Sequence, residues 1–63
     1  MTRLAEIKAT LATIGVKHVE QTDSLDGFVA FVHFDDMPKE TAATRKVMQS
    51  LVFDVADKGF LFK

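Results

Sequence analysis

His18, Glu20 and His33 are the residues of this chain whose types come closest to supporting chemistry. Two imidazoles and a carboxylate can ligate zinc or move a proton. A structural zinc site wants four ligands, and there is no cysteine to complete the set with a thiolate. No metal and no cofactor is therefore expected. Protonating both imidazoles would bring two positive charges together, the ingredient of a pH-sensitive interface. Nucleophilic catalysis has little footing, because Ser24 and Ser50 stand outside any nucleophile-elbow pattern. Gly15, Gly27 and Gly59 are isolated, so no phosphate-cradling loop forms. His33 could pair with Asp35 or Asp36 as acid and base, but a chain this short can hardly wall off a pocket. The expectation is a protein that is not an enzyme, with no catalytic residues and no small-molecule substrate.

The remaining charges point to surfaces. Asp23 and Asp26 suit turns, and Asp35 and Asp36 suit a helix start. Together they could also form a negative patch that meets a basic protein surface, as an inhibitor of a nucleic-acid-binding protein would use. The net charge of −1 provides no general field for nucleic acid.

Sixty-three residues make one small domain, 1–63, and the opening Met1 suggests a complete small protein. Folding such a domain buries only about 60% of the surface of the unfolded chain. Small scaffolds usually add a disulfide, a metal or a partner. Without cysteine, the staple left is association with another chain. No apolar run approaches the roughly 18 residues of a membrane span. Glu6 and Lys8 interrupt the region where a signal peptide needs an apolar core. The expected home is the cytoplasm, the host's if the protein is viral.

These side chains must be positioned by helices and strands. Leu4, Ile7, Leu11 and Ile14 recur at helical spacing, which predicts a helix over 3–14 with Thr2 as N-cap and Gly15 at its end. The segment 16–23 alternates loosely, "DSLDG" supplies turn chemistry, and "GFVAFVHF" is dense in β-branched and aromatic residues, so a hairpin follows. "DDMPKET" is read as opening a second helix, with Pro38 in its first turn and Ala43, Val47 and Leu51 as the buried stripe. Its end has two readings. Either the helix runs to Lys58 and leaves Phe53 on the polar face, or it stops near Ser50 and "LVFDV" and "FLFK" form a second hairpin. The strand reading accounts for Phe53 without a partner and is preferred. It also makes helix–strand–strand occur twice. The fold expected is α+β: a two-layer antiparallel sheet with two helices on one face, order αββαββ. The alternative is αββα with a longer second helix and a short final strand.

Alternation puts Phe28, Ala30, Val32 and Phe34 on one face of the strand, and Val29, Phe31 and His33 on the other. The wholly apolar set is expected to meet the helices. With Leu25-Asp26 as a two-residue loop, Val19 opposes Val32, Glu20 opposes Phe31 and His18 opposes His33. A slip by one residue would drive Glu20 into the core at a cost of several kcal/mol.

"GFVAFVHF" resembles the octapeptide of RNA-recognition-motif domains, with Ala30, Phe31, Val32 and Phe34 matching its second half. The resemblance implies base stacking at Val29 and Phe31. Gly27 stands where that octapeptide has a basic residue and Phe28 where it has glycine. Single-stranded nucleic-acid binding is thus the alternative function, and nucleic acid is not the expected partner. The main expectation is a small non-enzymatic protein-interaction module, self-associating as a homodimer or bound to another protein. Its candidate interface is Val29, Phe31, His33, His18 and Glu20. Small size without catalytic equipment fits an inhibitor or accessory protein of viral or mobile-element origin.

Overall fold

Thr2 opens the first helix by accepting a hydrogen bond from the Ala5 N–H on its side-chain oxygen, at 3.2 Å. The computed structural model describes residues 2–23 and 26–63. They form two α-helices and four strands, in the order α1 (Arg3–Ala12), β1 (Glu20–Gln21), β2 (Ala30–His33), α2 (Ala42–Gln49), β3 (Phe53–Val55) and β4 (Gly59–Phe62). The α1 helix is left through a Schellman turn centred on Gly15, whose φ is +91°. Gly15 N–H donates to Ala12 O at 3.1 Å and Val16 N–H to Leu11 O at 3.2 Å. This is the pattern that a left-handed glycine permits, and Val16 and Leu11 then meet in the core.

The second helix begins later than its acidic lead-in suggests. Phe34–Asp36 form a single 3-10 turn, and Met37 is extended (φ −83°, ψ 139°), as a residue before proline must be. Pro38 therefore lies in the connection, outside the helix. The true start is Thr41. Its side chain accepts the Thr44 N–H at 3.2 Å, while the Thr44 hydroxyl accepts the Thr41 N–H at 2.7 Å. This reciprocal capping box satisfies two otherwise orphaned donors. It also rotates the helix relative to expectation: Thr44 is buried and Ala43 exposed. The helix ends at Ser50 as the strand reading requires, and Phe53 enters β3.

The sheet is antiparallel throughout, in the order β1-β2-β4-β3. Glu20 opposes Phe31, the register expected from the cost of burying Glu20. Leu25 of the expected two-residue loop, and Ser24, expected to face Gly27, lie outside the described residues. Ala30 pairs with Phe62, Phe31 with Leu61, Val32 with Phe60 and His33 with Gly59. Phe53 pairs with Phe62 and Val55 with Phe60. Helix–strand–strand thus occurs twice, and the second strand of each unit lies at the centre of the sheet.

Ala30, Val32 and Phe62, from one face of the sheet, share a core cluster with Ile7 and Leu11 of α1, Val16 and Leu51. Ile7, Leu11, Val32 and Phe62 are fully buried, each contributing about 1.5–3 kcal/mol through apolar surface removed from water. Three residues depart from the expected lining. Phe28 is buried but lies outside the core cluster, with Lys63 Nζ 5.0 Å from its ring centroid. Phe34 follows the core face but is 42% exposed, because the 3-10 turn carries the chain off the sheet. Val29 N–H donates to Phe62 O at 2.8 Å, although Ala30 already opposes Phe62. Two successive residues sharing one partner make a bulge, and the half-buried Val29 side chain packs against the core cluster.

Candidate interaction surface

Residues paired directly across an antiparallel ladder point to the same side of the sheet. The pairs Glu20–Phe31, Phe31–Leu61 and Leu61–Asp54 therefore form one row across all four strands, on the face opposite Ala30, Val32 and Phe62. The row reads carboxylate, phenyl, isobutyl, carboxylate. At about 4.8 Å between strands, the two carboxylates stand about 14 Å apart at the backbone. Phe31 and Leu61 are half-buried, and Glu20 and Asp54 are exposed.

His33 lies beside this row. Its ring meets Phe31 edge-on, with centroids 4.8 Å apart and planes at 82°. The residue opposite His33 is Gly59, so no side chain stands between His33 and the β3 side at that level. His33 Nε2 lies 3.3 Å and His18 Nε2 3.5 Å from the same Glu20 oxygen. The arrangement is a bridge: both imidazoles reach one oxygen of the same carboxylate. Among the described residues, no group of three or more histidine, aspartate or glutamate side chains is arranged to hold a metal ion.

Of the five residues expected at an interface, the structure brings Phe31, His33, His18 and Glu20 together, and Val29 lies partly withdrawn against the core. Leu61 and Asp54 complete the row, and sequence reasoning missed them. Alternation in "GFLF" could have placed Leu61 opposite its two neighbours, but only the pairing of β2 with β4 sets it beside Phe31. Of the acidic patch, Asp35 and Asp36 sit in the 3-10 turn and Asp23 and Asp26 near the hairpin end, all exposed.

A second apolar surface was not anticipated. Phe60 stacks edge-on with both Phe34 and Phe53, at 5.2 and 5.5 Å, and Phe53 contacts the buried Phe62 at 5.9 Å. These rings run from the core to the rim. A cleft of about 550 Å3 opens beside them, lined by Met37, Met48, Phe53 and Phe60 among others, with the Arg45–Glu40 ion pair at 3.0 Å in its wall. Val55 stands on this side of β3, 67% exposed. No helix of the described residues is long and apolar enough to cross a membrane. No family model, curated protein or solved structure matches this chain.

Proposed function

We propose that this chain is a small non-enzymatic protein-interaction module that binds through the face carrying Glu20, Phe31, Leu61 and Asp54. The observation behind it is the row itself: an apolar pair at the centre of the sheet, bounded on each side by an exposed carboxylate. Aromatic and aliphatic side chains held rigid on central strands make good anchors, and charged rims confer selectivity. The partner this pattern fits is a protein surface with an apolar ridge flanked by lysine or arginine. An inhibitory or accessory protein would act in this way, by covering a basic surface of its target. The same carboxylates count against single-stranded nucleic acid, because a phosphate backbone drawn to Phe31 would run past Glu20 or Asp54.

The test uses a synthetic amphipathic helical peptide with a leucine stripe flanked by lysines, followed by fluorescence anisotropy. Binding should weaken about tenfold in Phe31→Ala, the usual scale for a hot-spot residue, and fall with added salt. A single-stranded oligonucleotide should show no Phe31-dependent binding. If Phe31→Ala binds the peptide as well as the wild type, the face is not the binding surface. The chain's size favours a second reading, a twofold homodimer through the same face, since a 63-residue chain without cysteine gains most from a partner. Light scattering would then show a mass that doubles with concentration and reverts in Phe31→Lys.

A further inference from the structure

Edge strand β3 offers main chain as well as side chains. Lys63 N–H donates to Val52 O at 2.9 Å and Ala56 N–H to Gly59 O at 2.8 Å, on either side of this strand. Inward-bonding residues alternate along an antiparallel ladder. Val52, Asp54 and Ala56 therefore turn their N–H and C=O towards β4 and the Lys63 end, while Phe53 and Val55 turn theirs outward. Among the described residues no hydrogen bond reaches those outward groups. The side chains of Phe53 and Val55 lie on the side of the apolar cleft, and Asp54 points to the other side.

We infer that the free edge of β3 accepts an extended segment of a partner protein as an added antiparallel strand, with a basic residue opposite Asp54 between two apolar ones. Phe53 and Val55 supply two donors and two acceptors, the main-chain component of strand addition. Apolar side chains of the incoming strand extend the surface of Phe53, Val55 and the adjoining Met37–Met48–Phe60 cleft, which polarisable methionine side chains suit to varied shapes. Asp54 sets the selectivity. In an added antiparallel strand its opposite residue occupies a non-hydrogen-bonded pair, the closer kind, with Cα atoms about 4.5 Å apart. A lysine or arginine there completes a cross-strand ion pair, and a carboxylate is repelled. That repulsion disfavours a second copy, because the twofold register pairing Phe53 with Val55 sets Asp54 against Asp54. Short length and a charge are how edges resist indiscriminate pairing; here they leave room for one chemistry. This site is separate from the Phe31 face, and Asp54 is the one residue common to both.

The experiment is an NMR titration of the 15N-labelled chain with two short capped peptides, one alternating valine and lysine, the other valine and glutamate. The lysine peptide should shift the amide signals of Phe53 and Val55 and saturate, whereas the glutamate peptide should not bind. Asp54→Lys should invert the preference by about tenfold or more, since like-charge juxtaposition is the discriminating element. Val55→Pro should weaken the lysine peptide about tenfold, because proline removes an outward donor and spares the bonds to β4. Methylating the peptide nitrogens that face β3 should abolish binding and leaves the protein untouched, so the result stands even if a variant unfolds. Shifts at Phe53 and Val55 with the amide signals of Glu20 and Phe31 unmoved separate this proposal from the one above. Equal binding of both peptides to the wild type, shifts centred away from β3, or full binding by the methylated peptide would overturn it.

Discussion

Replacing Gly59 by alanine tests the packing that sets the row of surface residues in line. Gly59 opposes His33 in the central strand pair. A Cβ built on it lies 2.8 Å from the Val32 carbonyl carbon and 2.9 Å from His33 Cα, and closer still to the Val32 oxygen. All three are backbone atoms of the neighbouring strand, so no side chain can rotate away. Overpacking against movable side chains costs about 1–3 kcal/mol; a clash with main chain belongs at or above the top of that range, so we expect about 3 kcal/mol. Total stability for a chain of this length is about 3–9 kcal/mol. The substitution should therefore remove a third or more of it, and lower Tm by about 12–24 °C at about 4–8 °C per kcal/mol. Gly27→Ala is the control. Gly27 has a φ of +87° and nothing within 4 Å of the added carbon, so it bears only the left-handed backbone cost of about 1–2 kcal/mol. Urea unfolding followed by far-UV circular dichroism is the assay, since the chain has no tryptophan or tyrosine. If Gly59→Ala loses less than Gly27→Ala, the close approach of β2 and β4 is wrong, and with it the alignment of Phe31 beside Leu61.

Phe62→Ala removes the largest fully buried side chain and should cost about 3–5 kcal/mol, enough that thermal melts of the variant should show little or no folded baseline. Thr41→Ala deletes one half of the capping box and should cost about 1 kcal/mol, read as a small drop in the urea midpoint at unchanged slope.

The start of α2 shows why some local signals mislead. Asp35, Asp36 and Pro38 all suit the first turn of a helix, yet the chain spends them on a 3-10 turn and an extended connection. Thr41 and Thr44 offered a reciprocal pair of hydrogen bonds a few residues on, and side-chain capping with real geometry outweighed residue preference. Phe53 shows the opposite case. Its place on a strand was legible because a helix would have stranded it among polar residues, and β3 indeed carries it towards Phe60 and Phe62.

Local spacing determined the first helix and its Gly15 exit, the two hairpins, and the register of Glu20 against Phe31. In each case the burial cost or the conformational preference acts between residues near in sequence. The tertiary structure alone decided that β4 lies between β2 and β3, which puts Leu61 next to Phe31, carboxylates at both ends of their row, and a free edge at β3. Strand order depends on which distant segments meet, and alternation is the same whichever neighbour a strand finds. The Met37–Met48–Phe60 cleft follows the same logic, because it needs the connection before α2, the helix itself and β4 to meet, and no short stretch encodes that.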